Sequence, residues 1–209
     1  MARETVDKWK SKKFFDVVAP PLFRNAVIGQ TIASDIRKVP GRIVMANYST
    51  IIGDPNSRNN KVKLKFKITG VKGEKAETEF LGHALVQDYQ RSLARRRTSK
   101  VYKNQVVTTK DGKRLRVKSI IVTTRQVKKS MKSELGKKLL EFMAEDAKQY
   151  NYNEFINDAV SGRISMRMKK GLSKFYPLRH AVVEKTEVIK EAVKAEPKVE
   201  EKPAEEKKE

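Results

Sequence analysis

The chain has 209 residues, no cysteine and a formal net charge of +22 at pH 7. Without cysteine it has neither disulfides nor thiolate metal sites, and it contains neither an apolar signal segment in its first thirteen residues nor an apolar run long enough to span a membrane. A soluble cytoplasmic protein of one domain with extensions is therefore expected, with far more positive charge than solubility requires.

The N-terminal stretch, residues 1–40, is basic and turn-rich. Lysines surround Trp9, and Phe14, Phe15 and Phe23 flank two consecutive prolines, which exclude a helix interior. We interpret these aromatic residues as anchors of an extended arm rather than as platforms for stacked bases. The stretch is predicted to be a basic extension packed on the core.

Residues 41–123 are predicted to form β structure. A short strand from Ile43 to Tyr48 ends before a loop at residues 53–56. From Lys61 to Ile68, four lysines alternate with four apolar residues, which is the period of a strand with one buried and one exposed face. An apolar segment from Thr78 to Tyr89 is expected to form the next strand.

The tetrapeptide at residues 110–113 contains Asp111-Gly112 between two strand-like segments, which is a strong hairpin signal. A two-residue turn centred on Asp111-Gly112 would place Thr109 opposite Arg114 and Val107 opposite Arg116. Arg114, Arg116 and Lys118 would then project from one face.

This hairpin lies within the most basic part of the chain, residues 91–129, which holds fourteen Lys or Arg residues and a single acid, Asp111. The apolar residues interleaved with them indicate that folded strands carry the charge. A folded basic surface binds phosphates largely by releasing their counterions, so a nucleic acid is the expected partner.

The remainder of the chain is predicted to be mostly helical. Apolar residues from Met131 to Met143 follow a 3.6-residue period, which predicts an amphipathic helix on the sheet, and shorter helices are expected over residues 153–160 and 165–173. A last strand is expected from His180 to Ile189. Beyond Glu191 the chain alternates Glu and Lys with two prolines, which predicts a solvated, disordered tail.

Sequence patterns of catalysis are absent. His83 and His180 have no metal-ligand spacing around them, no glycine-rich phosphate loop precedes a helix, and no serine or carboxylate falls in a nucleophile motif. We interpret His83 as a strand histidine with ordinary hydrogen bonds. For His180, local packing is favoured over contact with a phosphate or a base. No enzyme, cofactor or metal site is predicted.

Five blocks of sequence resemble the S3Ae family of small-subunit ribosomal proteins, also called the eukaryotic-type S1 family, and most closely its archaeal members. The resemblance covers about residues 8–190 and depends on the order of the blocks rather than on any single motif. The blocks are Lys12 to Pro20 followed by Phe23, Ile28 to Thr31, Gly41 to Ile43, Thr108 to Gly112, and Phe175 to Arg179.

The resemblance implies a structural constituent of the ribosome without enzymatic activity. It would bind the RNA of the small subunit on the platform, near the 3′ end of that RNA and the messenger exit, in a single copy per subunit. Its partners would be ribosomal RNA, neighbouring small-subunit proteins and messenger RNA at the exit. The implied fold is α+β, with a central antiparallel β-barrel and helices packed at its side.

Within this framework, residues 1–40 would be the extension, residues 41–190 the RNA-binding domain and residues 191–209 the tail. Charge and strand alternation, rather than the resemblance, select the cations predicted to contact RNA. They are Lys12, Lys13, Lys61, Lys63, Lys65, Lys67, Arg91, Arg95, Arg96, Arg97, Lys100, Lys103, Lys110, Lys113, Arg114, Arg116, Lys118, Arg125, Lys128, Lys129, Arg167, Lys169, Lys170, Lys174 and Arg179.

Two alternative functions are consistent with a basic folded surface. A stand-alone binder or translational regulator acting on single-stranded RNA or DNA would need exposed aromatic residues beside its basic groove. In the basic stretch only Tyr102 meets this requirement. An RNA nuclease or modification enzyme would need a convergent group of acids or bases, which the sequence does not offer.

Overall fold

A computed structural model of the chain describes residue 9 and residues 12–53 and 59–189. These residues form one mixed sheet and a set of helices. The strands are β1 Lys13–Val18, β2 Val27–Ala33, β3 Ile43–Asn47, β4 Val62–Lys72, β5 Lys75–Leu85, β6 Lys100–Thr108, β7 Arg114–Thr123 and β8 Leu178–Val188. The helices are α1 Tyr48–Ile52, α2 Gln87–Leu93, α3 Lys129–Gln149, α4 Tyr152–Ser161 and α5 Arg163–Ser173.

The sheet has eight strands and is open, so the predicted β-barrel is wrong, whereas the predicted mixture of sheet and helices is confirmed. The main path runs β2-β1-β5-β8-β7-β6, and β4 joins β5 to β3. Closure would require a ladder between edge strands. Within the described residues β2, β3 and β6 each pair with a single strand, which leaves three edges. Alternation along a strand specifies its two faces, but it carries no information about closure.

Strand β4 has the two faces that its alternation predicts. Val62, Leu64, Phe66 and Ile68 are all buried, whereas the lysines between them reach solvent. Phe66 packs edge-on against Phe23, with 5.6 Å between ring centroids. Aromatic burial at this position therefore ties β4 to the segment between β1 and β2.

Helices α3, α4 and α5 cover the side of the sheet that holds Leu64 and Phe66 of β4 and Leu115, Val117 and Ile121 of β7. Leu139 and Met143 of α3 are fully buried and pack in one cluster with Leu115 and Val117 of β7. The predicted apolar stripe is confirmed in its centre, although Met131 at its start remains exposed. The two shorter helices and the last strand also form where their periodicity predicted them.

The N-terminal stretch is more ordered than a turn-rich arm. β1 and β2 form an antiparallel hairpin, and Asp16, Val17 and Val18 of β1 pair in parallel with the start of β5. Phe15 and Phe23 are buried, as expected for anchors, whereas the side chains of Trp9 and Phe14 are exposed, contrary to that interpretation. The strands β1 and β2 are thus part of the sheet itself.

The β6–β7 hairpin has a longer turn than predicted. Thr108 pairs with Arg114 and Val106 with Arg116, so the predicted pairing is wrong by one residue and the loop comprises residues 109–113. The carboxylate of Asp111 accepts a hydrogen bond from the backbone N–H of Tyr152 at 2.8 Å. This contact holds the loop against the first turn of α4, and the loop itself is closed by hydrogen bonds from the Thr109 N–H to the carbonyl of Lys113 and from the Gly112 N–H to the carbonyl of Thr109.

Two short helices replace predicted strand or loop. Helix α1 follows β3 directly, and α2 begins after Leu85, where the predicted strand was expected to continue to Tyr89. Leu93 of α2 packs on Ile120 and Val122 of β7, on the side of the sheet opposite α3. The tail at residues 191–209, most of the loop at residues 53–56 and the first residues of the arm lie outside the described residues.

Candidate nucleic-acid interface

The side of the sheet that faces away from α3, α4 and α5 carries long basic side chains from several strands. In an antiparallel ladder, directly paired residues project to the same side. The strand pairing therefore defines continuous rows of neighbouring side chains. Two such rows cross the sheet from β6 to β3, and we call the surface that they form the basic face.

The first row consists of Val106, Arg116, Glu187, Gly82, Lys65 and Met45. The second row consists of Asn104, Lys118, Lys185, Ala84, Lys63 and Asn47. Arg114 and Lys67 extend the same side of β7 and β4 by one further position each. Cations that are more than fifty residues apart in sequence therefore share one surface.

Small residues occupy the centre of the basic face. Gly82 and Ala84 of β5 separate the lysines of β4 from the cations of β7 and β8. A Cβ atom at Gly82 would overlap the backbone carbonyl of Thr186, so the close approach of β5 and β8 requires glycine. Long basic side chains thus flank a strip of small residues on both sides.

One acid interrupts the two rows. The carboxylate of Glu187 forms an ion pair with Lys185 and lies 4.0 Å from the guanidinium of Arg116. The hydrogen bond with Lys185 lowers the pKa of Glu187, and the charges of Lys185, Lys118 and Arg116 act in the same direction against a smaller effect of burial. Glu187 is therefore ionised at neutral pH and partly neutralises its three neighbours.

Residues that alternate with these two rows along β5, β7 and β8 point to the opposite side of the sheet, and His83 is one of them. Thr186 pairs with His83 and with Val117, and these side chains point toward the helices. His83 Nδ1 lies 2.6 Å from Thr186 Oγ1. Burial lowers the pKa of His83 to about 4, against an opposing hydrogen bond with the backbone of Val183. His83 is a neutral core residue, which confirms its interpretation as a hydrogen-bonded strand histidine.

Several cations predicted to contact RNA lie elsewhere. Arg167 is 30% exposed, and its guanidinium donates to Asp146 at 2.9 Å and to Asp158 at 2.6 Å. Burial lowers the pKa of Arg167, but the hydrogen bonds and charges of the two carboxylates outweigh it and raise the pKa overall. Lys103 points toward Gly136 of α3, on the helix-covered side. Neither side chain is oriented toward the basic face.

The other predicted cations are distributed over three regions. Lys61, Lys169 and Arg179 line a cleft beside β8, and Arg95 acts electrostatically on His180 in the same place. Lys12 and Lys13 lie at the start of β1. The remainder occupy helices, strand ends and the loops around them, namely Arg91, Arg96, Arg97, Lys100, Lys110, Lys113, Arg125, Lys128, Lys129, Lys170 and Lys174.

Lys185 lies on the basic face, although no sequence pattern predicted it. The buried residues of β8 are Leu178, Ala181, Val183 and Thr186, and the odd spacing between the last two reflects a bulge after Val183 in its pairing with β7. This bulge shifts Lys185 to the basic face. Because the shift depends on pairing with β7, the local pattern of β8 contains no signal for it.

The described residues offer no further functional centre of two common kinds. No group of three or more His, Asp or Glu side chains in these ranges is arranged to hold a metal ion. No helix among them combines the length and the apolar character needed to cross a membrane.

Comparison with known proteins agrees with a ribosomal role. A model of the ribosomal S3Ae family matches residues 1–192. The small ribosomal subunit protein eS1 of Archaeoglobus fulgidus is 37% identical over 195 residues, covering 93% of this chain and 92% of the relative. The protein of the same name from Sulfurisphaera tokodaii is 40% identical over 184 residues, covering 88% and 94%. That from Saccharolobus solfataricus is 39% identical, covering 88% of both chains.

Proposed function

The chain belongs to the ribosomal S3Ae family, and from this premise we propose that its basic face binds the RNA of the small ribosomal subunit. The relatives are ribosomal proteins rather than enzymes, which confirms the expectation of a non-enzymatic protein. The observation that carries the proposal is the placement of Arg116, Lys118, Lys185, Lys63 and Lys65 in two adjacent rows.

The chemistry of the basic face suits a phosphate backbone rather than base edges. Arginine can clamp a phosphate with two hydrogen bonds, whereas lysine supplies a mobile point charge. A-form RNA hides its major groove from side chains, so shape and phosphate contacts dominate its recognition. A sheet that is already ordered loses little conformational entropy when it binds.

We further propose the location implied by the resemblance, which is the platform near the 3′ end of the ribosomal RNA and the messenger exit. The protein would be present there in one copy per subunit, in the cytoplasm, beside other small-subunit proteins and within reach of messenger RNA. Residues 41–190 would act as the RNA-binding domain, and residues 1–40 would be an extension that contributes β1 and β2 to its sheet. The alternative of a stand-alone single-stranded binder has little support, because Tyr102 is the single aromatic side chain that the described strands place beside the two rows.

A charge-removal experiment tests the proposal. The triple variant R114Q/R116Q/K118Q removes three cations of the basic face, and K75Q/K137Q/K148Q removes three exposed cations outside it. RNA affinity is measured as a function of salt concentration, and incorporation is measured by co-sedimentation with small subunits.

The first triple variant is expected to lower the slope of log affinity against log salt by about 0.7–0.9 for each phosphate that the protein no longer neutralises. It should also reduce co-sedimentation with small subunits at high salt, whereas the control should change both quantities much less. Equal losses in the two variants would mean that RNA binding is not localised to the basic face.

A further inference from the structure

A cleft lies where the sheet splits beside β8. The ladder between β5 and β8 comprises the three pairs from Gly82–Glu187 to Ala84–Lys185, after which the chain leaves β5 for α2. The first half of β8 is therefore separated from the start of β4, and the opening lies between α2 on one side and α4 and α5 on the other. The cleft has a volume of about 260 Å³.

The polar rim of the cleft is positive. Lys61, Lys169 and Arg179 line it from three different elements, and none of the described residues that line it is Asp or Glu. His180 lies among these cations. Its pKa is lowered first by burial and then by the charges of Arg179, Lys169, Arg95 and Lys61. An anionic group at the rim would therefore find several cations within reach and no carboxylate opposing it.

The inner wall of the cleft is apolar. Val62, Leu85, Val160 and Val182 contribute aliphatic surface, and Met166 extends the wall at the rim, where its side chain is 61% exposed. Tyr89 of α2 adds an aromatic ring, with the ammonium of Lys61 at 4.6 Å from the ring centroid. The cleft thus combines a flat apolar interior with a cationic entrance.

We propose that this cleft receives one unpaired nucleotide of the RNA, with the base against the apolar wall and the flanking phosphates at Lys61, Lys169 and Arg179. The inference depends on the proposed function, because it assigns a specific element of the RNA to a second place on the same protein. Unpaired bases can be splayed out of a helix and inserted against apolar or aromatic side chains, which is the usual route to sequence-specific RNA recognition.

The size of the cleft favours a single nucleotide over a larger ligand. Pockets for drug-sized molecules usually measure about 300–1,000 Å³, and this cleft is smaller. A free mononucleotide would share the same chemistry, but it would provide one phosphate group where the cleft offers three cations spaced along its rim. A nucleotide within a strand presents phosphates on both sides of its base.

The experiment compares two RNA hairpins that differ by one bulged nucleotide, using the full chain and fluorescence anisotropy at fixed salt. The variant S165F places a ring in the cleft without changing charge, because Ser165 lines it. S133F introduces the same ring at an exposed position of α3 outside the cleft and is the matched control. K169Q removes one rim cation, and thermal unfolding verifies that each variant is folded.

The wild-type chain is expected to bind the bulged hairpin about fivefold or more tightly than the perfect hairpin, since base stacking alone contributes that much. S165F and K169Q should reduce this ratio toward one, and S133F should preserve it. R114Q/R116Q/K118Q should weaken both complexes while leaving the ratio unchanged.

Equal affinity of the wild-type chain for the two hairpins would overturn the cleft assignment and leave the basic face intact. Absence of salt-dependent binding to either RNA would instead contradict the proposed function. Displacement of the bulged hairpin by micromolar UMP or AMP would also overturn the assignment, in favour of a free nucleotide.

Discussion

The two sides of the sheet are built from alternating residues of the same strands, yet they are stabilised in different ways. On the helix-covered side, Leu64, Phe66 and Val117 have no exposed surface, and their burial stabilises the fold. On the basic face, the intervening lysines and arginines gain little from one another and repel at close range. The chain therefore separates core packing from surface charge residue by residue along a strand.

The separation is not a simple division between apolar and charged residues. Arg167 is a cation that contributes to the helix-covered side, because it neutralises Asp146 and Asp158 from α3 and α4. Glu187 is an acid that lies on the basic face. Substitutions at adjacent residues of one strand should therefore differ most in their effect on stability. Substitutions of Arg167 and Glu187 should show where the division between the two sides is incomplete.

The largest difference is expected between neighbouring residues of β4. F66A removes a fully buried ring that packs against Phe23 and Phe80, and it should lower the free energy of unfolding by about 3–5 kcal/mol. K65A should change it by less than about 0.5 kcal/mol, because Lys65 lies on the solvent side. Urea unfolding measures both values. Similar midpoints for the two variants would show that the faces are assigned incorrectly.

The next effect compares two cations of helix α5. R167M leaves the buried carboxylate of Asp146 without its partner and leaves Asp158 with Arg163 at 3.5 Å, so it should destabilise the protein by about 3 kcal/mol, the lower end of the range for broken buried pairs. K170M on the exposed side of the same helix should be nearly neutral. Thermal unfolding distinguishes them, and partial rescue of R167M by D146N would attribute the loss to the unpaired charge.

A smaller, pH-dependent effect is expected from His83. Its pKa is lowered to about 4 in the folded protein from 6.5, so the unfolded chain binds more protons between these values and stability rises with pH. His83 should therefore cost about 2 kcal/mol at pH 5 relative to pH 8, with the loss developing as pH falls below 6.5. Unfolding of the wild type and of H83N is followed from pH 8 to pH 4.5. Parallel curves would contradict a neutral, buried His83.

The sequence pattern within a strand predicted which of its side chains are buried. It did not predict which strands lie next to each other. The alternation of Lys61 to Ile68 is a property of one strand, so its buried and exposed sides were correct. The juxtaposition of Lys65 with Arg116 arises through β5 and β8, and pairing between distant strands has no local signal. The turn length of the β6–β7 hairpin was wrong because Asp-Gly also suits a three-residue loop, in which Gly112 is left-handed and the Thr109 N–H donates to the carbonyl of Lys113.

The sequence does not reveal which cations are paired with acids from other elements. Arg167 has the same local surroundings as Lys169 and Lys170, a basic helix of alternating polarity. Its two partners are nine and twenty-one residues away and belong to other helices. Charge counts along the sequence therefore identify a basic surface, whereas the packing of α3, α4 and α5 decides which cations belong to it.

The smallest expected effect concerns Glu187, the single acid in the two rows of the basic face. Its lowered pKa keeps it ionised at neutral pH, so E187Q removes a full negative charge and releases Lys185 and Arg116 to interact with phosphate. RNA affinity should rise about two- to fivefold at low salt, in keeping with the modest strength of exposed ion pairs, and the gain should vanish at high salt.

The matched control is E145Q, which makes the same change at an exposed position of α3. If both variants gain equally, the increase reflects net charge alone, and Glu187 does not compete with phosphate on the basic face. A gain confined to E187Q, and abolished in E187Q/R116Q, would show that the acid and the arginine act on the same phosphate.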